Sequence, residues 1–352
     1  NRIMNDAINL CAQLPGGPVH INAPFREPLY PLKGENTIAY GNVRVMEEHP
    51  AIPQLTSEQV DDLKRTWTAF NNILLVGGQN LSDAHVMDTL RSLQRKHYIP
   101  TVHDVVSNLH EVGDTIQHSD LFLGQASHKL REMLRPDLLI TFGDSLVSKN
   151  LKIFLRKCTP TKHWHIQPCG PVADTFKSLT DIFFTTPDQF FEMLTSVPAP
   201  GPFQGQKQKN YFNLWQVEER RVLRTLDEFF AEARLSELSL VRALMDQLPE
   251  NSNLHLANSM SVRYANFLGL SSSKKGIRVF ANRGTSGIDG SMSTAVGHAL
   301  VSGQPNFLIT GDLAFFYDRN AFWHNYDLAN LRILLHNNHG GLIFDILEGP
   351  SS

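Results

Sequence analysis

The sequence predicts an α/β protein built on doubly wound parallel sheets, and three observations carry that expectation. Short apolar runs recur, each closed by a small turn and followed by an amphipathic stretch, as in Ile73-Leu-Leu-Val76 before Gly77-Gly78 and Leu138-Leu-Ile-Thr-Phe142 before Gly143-Asp144. Repeated strand, turn and helix units of this kind build a parallel sheet covered on both faces. The 352 residues suffice for two to three domains with their own cores. Apolar residues make up 41% and charged residues 19%, the balance of an ordinary globular protein.

Taken in order, residues 1 to about 30 read as a helix with apolar positions at Ile3, Ala7, Leu10 and Leu14. A Pro15-Gly-Gly-Pro18 turn and a strand Val19-His-Ile-Asn22 follow. Proline then recurs at Pro24, Pro28 and Pro31, which forbids regular helix and predicts an extended crossover. Between about 60 and 195 the strand at 73–76 leads into a helix ending near Lys96, and the strand at 138–142 into one ending near Lys157. His163-Trp-His-Ile166 and Asp181-Ile-Phe-Phe184 read as further strands. The stretch from Pro198 to Lys209 is rich in Pro, Gly and Gln and reads as a linker. A long helix is expected from Trp215 to about Phe230, and a second from near Ser236, where an apolar pattern opens through Val241, Leu244 and Met245. Strands near Asn253-Leu-His-Leu256, Ile277-Arg-Val-Phe280, Phe307-Leu-Ile309 and Arg332-Ile-Leu-Leu335 complete a second sheet. No internal repeat interrupts this order.

The bulk properties exclude several classes of function. A formal charge of −3 argues against a nucleic-acid partner, whose binding needs a basic face. Any positive site for an anionic ligand must therefore be local. Cys11, Cys158 and Cys169 form no Cys-x-x-Cys pair, which fits a reducing compartment without disulfides or zinc. No apolar run reaches the ~18 residues of a membrane span, and the reading is of a cytoplasmic protein. His163 and His165 share one strand face, but no third ligand stands at a diagnostic spacing, and Gly77-Gly78-Gln79 is only a turn.

Chemistry concentrates near the end. Asn306-Phe-Leu-Ile-Thr-Gly-Asp312 places an Asp at one strand end, and Leu331-Arg-Ile-Leu-Leu-His-Asn-Asn-His-Gly-Gly341 places an Asn pair at the next. Parallel strands deliver their carboxyl ends to one edge, where ligands bind in doubly wound folds. A carboxylate, an amide oxygen and a backbone carbonyl make a hard oxygen set of the kind Mg²⁺ takes when phosphate oxygens and water complete the octahedron. In isolation, Asp312 would equally cap the following helix and the Asn pair would make a turn. Gly284-Thr-Ser-Gly-Ile-Asp-Gly-Ser291 lies between a strand and a helix, where glycines admit a close ligand and the helix start offers free N–H groups.

The Gly-Asp and Asn-Asn spacing resembles the cofactor motif of thiamine-diphosphate (ThDP) enzymes, although Leu313 stands where that motif usually has a third glycine. Gly311-Asp312-Leu313, Tyr317-Asp318 and Asn338-His-Gly-Gly-Leu-Ile-Phe344 are similar to the 2-succinyl-5-enolpyruvyl-6-hydroxy-3-cyclohexene-1-carboxylate synthase (MenD) family. Gly17 to Tyr30, Asn258-Ser-Met-Ser-Val-Arg263 and Asn282-Arg-Gly-Thr-Ser-Gly-Ile-Asp-Gly290 agree with it. The resemblance implies a ThDP-type fold: residues 1–30 as the remnant of a pyrimidine-binding domain, 31–210 as a central domain and 211–352 as an incomplete diphosphate-binding domain. It also implies a carboligase using ThDP and Mg²⁺ (or Mn²⁺) that decarboxylates 2-oxoglutarate and adds the succinyl unit to isochorismate, acting as a homodimer or homotetramer. Its catalytic glutamate would lie upstream of Asn1. Two alternatives stay open, a different ThDP-dependent 2-oxo-acid decarboxylase and a non-catalytic fragment.

Residue by residue, the resemblance implies that Asp312, Asn338 and the Gly340 carbonyl hold the metal, with Gly311 and Leu313 flanking the cofactor and Ile288 meeting its aminopyrimidine ring through the backbone. Arg263 and Arg283 are assigned to substrate carboxylate, since a guanidinium pairs two-to-two with that group. Ser259 is a hydrogen-bond donor to diphosphate or substrate. Lys149 corresponds to the first half of a Lys-Arg pair that reaches the second substrate, and Asn150 stands where the Arg would be. A solvated surface lysine is an equal reading. Ile343, Phe344 and Leu347 correspond to an apolar wall over the thiazolium, with core packing as the other reading.

Overall fold

A computed structural model describes residues 2–14, 16–24, 43–49, 51, 53–81, 84–232 and 234–346. After α1 (Arg2–Ala12) and α2 (Ser57–Thr68), the first layered unit runs β1 (Ile73–Gly77), α3 (Ala84–His97), β2 (Thr101–His103), α4 (Ser119–Gln125), α5 (His128–Leu134), β3 (Leu138–Phe142), α6 (Lys149–Lys157), β4 (Lys162–Gln167), β5 (Asp181–Phe184) and α7 (Pro187–Thr195). The 31-residue α8 (Pro202–Glu232) leads to the second, comprising α9 (Glu237–Gln247), β6 (Asn253–Leu256), α10 (Met260–Leu268), β7 (Arg278–Ala281), α11 (Ser291–Val301), β8 (Asn306–Gly311), α12 (Asp312–Tyr317), β9 (Leu331–His336) and α13 (Ile343–Ile346). The strand orders are β2-β1-β3-β4-β5 and β7-β6-β8-β9, with every named pair parallel.

Alternation along β1 shows why the first sheet is doubly covered. Ile73 and Leu75 face Leu63 and Trp67 of α2, Leu90 and Leu93 of α3, and Phe190 and Phe191 of α7. Leu74 and Val76 face Phe154 and Leu155 of α6 and Trp215 of α8. All five β1 residues are buried, so the strand reads as a continuous apolar run rather than an alternating one. In the second sheet, Leu254, Val279 and Ile309 pack on Val241 and Met245 of α9 and Val262 of α10, while Leu308 packs on Met292 and Ala295 of α11.

The two units share a boundary. Val105, Val106 and Val147 of the first enter the core of the second. The Asn108 side chain accepts from Val279 N–H at 2.6 Å and donates to Val279 O at 3.1 Å, so one amide pairs with the edge of β7 as a neighbouring strand would.

Three expectations change. Residues 198–209 are not a linker throughout: α8 already begins at Pro202, where a missing N–H costs nothing, and residue 210 falls inside the helix. The polar residues that suggested a linker lie early in α8, and its buried Tyr211 and Trp215 come later. Val19–Asn22 is not a strand, because no neighbouring strand among the described residues supplies ladder partners. β2 went unforeseen because it is three residues long and buries Thr101 and His103 instead of an apolar run. The helix α1 forms as expected, yet Ile3, Leu10 and Leu14 stay exposed, and its buried residue is Asn5, hydrogen-bonded to the backbone of Arg44 and Met46. Of the proline crossover, Pro28 and Pro31 lie outside the described residues. No helix among the described residues is long and apolar enough to cross a membrane.

Candidate active site

Parallel register brings four strand ends to one edge of the second sheet. Leu256 pairs with Ala281 and with Ile309, and Gly311 pairs with His336. The residues just beyond are therefore neighbours: Asn258 and Ser259 after β6, Arg283 after β7, Asp312 after β8 and Asn338 after β9. The order β7-β6-β8-β9 reverses direction between β6 and β8, the switch point where such sheets bind ligands.

Asp312 is 7% exposed at the first position of α12, and its Oδ1 accepts from Leu313 N–H at 2.8 Å. Among the described residues Oδ2 has no hydrogen-bond donor. Asn338 is placed by Glu237, whose Oε1 accepts from the amide nitrogen at 2.9 Å while Oε2 accepts from Tyr264 O–H at 2.9 Å. The Asn338 oxygen accepts from Gly340 N–H at 3.2 Å and keeps a second lone pair. His339 between them has φ +61°, a tight turn that holds Asn338 and Gly340 together. A carboxylate, an amide oxygen and a carbonyl, with no His/Cys/Asp/Glu cluster among the described residues, fit a hard divalent cation rather than zinc.

The loop after β7 is tied down by buried Asn258, whose amide donates to Asn282 O and Gly287 O, both at 2.7 Å. Arg283 Nη1 donates to Asn258 Oδ1 at 2.7 Å, and its buried Nε has no partner among the described residues. Arg263 Nη1 donates to Ser259 O at 2.6 Å. Ser259 itself sits at φ +71°, ψ −132°, a backbone region costly for a side chain that persists only where surroundings enforce it. Burial lowers both guanidinium pKa values, and for Arg283 the charge of Arg263 lowers it further. Two half-buried cations thus stand together without a carboxylate in ion-pair range among the described residues.

Gly290, at φ +76°, is the left-handed N-cap of α11. The free N–H groups expected there are partly used: Ser293 N–H donates to Asp318 at 2.6 Å and Ser293 Oγ–H at 2.5 Å. Asp318 therefore caps this helix. Ile288 is half-buried in the same loop. Leu313 (43% exposed) and Phe344 (76% exposed) both approach Gly341, where an added Cβ would lie 3.4 Å and 3.3 Å from their side chains. Ile343 is half-buried beside them, and Leu347 lies outside the described residues. Lys149 is exposed at the start of α6, and its ammonium has no partner among the described residues. Asn150 donates its amide to Asp120 O at 2.8 Å. His163 and His165 both bond Thr141 Oγ, at 2.9 and 2.8 Å, so their shared face is satisfied by a hydroxyl.

One position escaped the sequence reading. Glu237 gives a local signal only as an acidic residue in the first turn of α9, after the Ser236 cap.

A parallel α/β scaffold with an acidic and amide oxygen set at one sheet edge matches the architecture of ThDP enzymes, and the chain belongs to the family described as the middle domain of thiamine pyrophosphate, which matches residues 46–256. Along its whole length it is similar to proteins named 2-succinyl-5-enolpyruvyl-6-hydroxy-3-cyclohexene-1-carboxylate synthase. The relative from Cytophaga hutchinsonii is 42% identical over 352 residues, all of this chain and 60% of that protein. Those from Flavobacterium johnsoniae and Bacteroides fragilis are 37% and 36% identical over 98% and 99% of the chain, and again 60% of each relative. The chain thus spans about 60% of the length of the curated relatives it matches.

Proposed function

We propose that this chain is part of a ThDP- and Mg²⁺-dependent synthase that decarboxylates 2-oxoglutarate and joins the remaining succinyl unit to isochorismate. Residues 1–30, 31–210 and 211–352 would contribute to its pyrimidine-binding, central and diphosphate-binding parts, in a homodimer or homotetramer. The observation that carries the reading is the single sheet edge holding both Asp312 with Asn338 and the unpaired cations Arg263 and Arg283.

Asp312, Asn338 and the Gly340 carbonyl would hold the metal, whose positive charge would favour binding of the cofactor's diphosphate, and Mn²⁺ would serve as well as Mg²⁺ in an oxygen set. ThDP, when bound, supplies the electron sink that 2-oxo-acid decarboxylation requires. The Ile288 backbone would meet its aminopyrimidine ring, beside Gly311 and Leu313. Arg263 and Arg283 would clamp substrate carboxylates, strengthened by their partial burial. Ser259 Oγ would donate to diphosphate or substrate. Ile343, Phe344 and Leu347 would form an apolar wall that excludes water, and Lys149 would approach the second substrate from α6.

The test is product analysis with the full-length protein, Mg²⁺, ThDP and 2-oxoglutarate, with and without isochorismate. CO₂ release with formation of the isochorismate adduct is the expected result. Release of CO₂ with succinic semialdehyde as the only product, even with isochorismate present, would make it a simple decarboxylase. No release would end the reading.

A further inference from the structure

A third cation, on a helix of the other unit, lies within electrostatic reach of Arg283. Lys152 lies one turn into α6, half-buried, with Nζ donating to Leu146 O at 3.1 Å. The loop that carries Leu146 is fastened to the second sheet. Gln79 takes Ser145 O with its backbone N–H at 3.1 Å and Ala281 O with its side-chain amide at 2.8 Å, two residues before Arg283. Asp104 accepts from Val147 N–H and from Ser148 N–H at 3.2 Å, and the next residue, Val105, donates to Asn266, one turn beyond Arg263 on α10. Lys152, Arg263 and Arg283 therefore converge from three elements on one junction.

Arg283 feels the charge of Arg263, and Lys152 that of Arg283. Burial lowers the Lys152 pKa, and Arg283 is among the charges that lower it further, against the pull of Asp104 and Asp120. Those two carboxylates do not neutralise the cluster by contact. Asp104 is turned to the backbone of Val147 and Ser148, and Asp120 to Ser148 Oγ and Asn150 N–H, at 2.7 and 2.6 Å. From a distance Asp104 offsets the charges of Lys152 and Arg283, and Asp120 those of Lys152 and Arg263, but neither hydrogen-bonds a cation, which leaves room for an anionic ligand to complete the group. Asn150 cannot fill that role: its side chain is uncharged, committed to Asp120, and packed against Gly124, where an added Cβ would lie 2.8 Å from its amide nitrogen.

We propose that Lys152 is a third carboxylate-binding residue, joining Arg263 and Arg283 around a substrate that bears two or more carboxylates. This rests on the functional reading above. A lysine suits the position because its ammonium is a point donor on a flexible stem, able to leave the Leu146 carbonyl for a ligand oxygen. Both proposed substrates carry carboxylates, so the chemistry is shared and the experiment must separate them.

The experiment uses the full-length protein with Mg²⁺ and ThDP, and the variants Lys152→Gln and Lys152→Arg. KM and kcat are measured for 2-oxoglutarate and isochorismate separately, and succinate binding is followed by calorimetry as a readout independent of turnover. Lys152→Gln is expected to raise one KM by about tenfold or more, with less effect on kcat, and to weaken succinate binding; Lys152→Arg should restore most of the loss. The KM that moves identifies whose carboxylate Lys152 holds. If Lys152→Gln lowers the thermal midpoint but leaves both KM values and succinate affinity unchanged, Lys152 only caps the Leu146 carbonyl and the proposal falls, while the functional reading stands. If the unmodified protein fails to turn over 2-oxoglutarate, the functional reading falls, and succinate affinity decides alone: a loss in Lys152→Gln supports the carboxylate role, and equal or absent binding overturns it.

Discussion

In the first sheet, the turns that follow β1 and β3 are bonded to each other, and a cavity of about 200 Å³ lies beside them, lined by Gly78, Gly143, Asp144, His163 and His165. Gly78 N–H donates to Phe142 O at 2.8 Å and Asp144 N–H to Gln79 O at 2.9 Å, and a Cβ on Gly78 would collide with the Asp144 carbonyl. In the second sheet, the crevice between β6 and β8 lies beside Ser259 and Asp312, and a Cβ on Gly311 or Gly340 would meet nothing within 4 Å. Both sheets place their first strand between the second and third, so both have a switch point. The comparison teaches that topology creates a crevice in both sheets, while the residues at the strand ends decide its chemistry: backbone and imidazole groups in the first, a carboxylate, an amide and two guanidinium groups in the second. The first edge instead turns outward, lending Gln79, the 145–148 loop and Lys152 to the second.

The sharpest way to break this contrast is Asp312→Ala in the full-length protein. It removes the one carboxylate of the proposed metal set and should abolish divalent-dependent ThDP binding while circular dichroism stays unchanged; unaltered affinity by calorimetry would make the edge of β8 structural. Next comes Arg283→Lys, which keeps the charge but loses the planar fork. A charge-assisted hydrogen bond is worth about 1.5–3 kcal/mol, so kcat/KM for 2-oxoglutarate should fall roughly ten- to a hundred-fold. Equal activity would reduce Arg283 to an anchor for Asn258.

On the other edge, Gly78→Ala should cost about 1–3 kcal/mol in urea denaturation by overpacking, with divalent-dependent ThDP affinity preserved. Loss of ThDP binding without loss of stability would mean that the first crevice also serves the ligand. The smallest effect concerns acid. Burial pushes the pKa values of His97, His103 and His163 of the first unit down to about 4, as it does for His255 of the second. A ring kept neutral when folded binds a proton more readily when unfolded. Its stabilising contribution is therefore full above about 6.5 and is lost as pH falls toward about 4. Hydrogen exchange corrected for intrinsic rates should show protection in β2 to β4 falling more than in β8 between pH 7 and pH 5. Equal losses would place the acid sensitivity elsewhere.

Local sequence carried much of this. Leu138–Phe142 and the run ending at Gly311 announce buried strands because uninterrupted apolar residues closed by a turn have few other uses, and Gly-Asp and Asn-Asn stand at the ends of neighbouring strands, as their spacing predicts. Where the reading failed, composition misled it: the first turns of α8 hid behind Pro, Gly and Gln, and β2 behind buried polar residues. The exposed apolar face of α1 shows the opposite limit, a periodicity that forms its helix without saying what covers it.

The sequence by itself determined most of the strands and helices, and which residue types stand at their ends, because periodicity and turn chemistry act over a few residues. Tertiary structure alone decided that Glu237 holds Asn338, 101 positions away, that Asn108 pairs with β7, 171 positions away, and that Gln79 reaches the Ala281 carbonyl, 202 positions away. Those contacts depend on strand order and on the packing of one sheet's loops against another's edge. Both are fixed by burial summed over whole layers, which no short stretch of sequence contains.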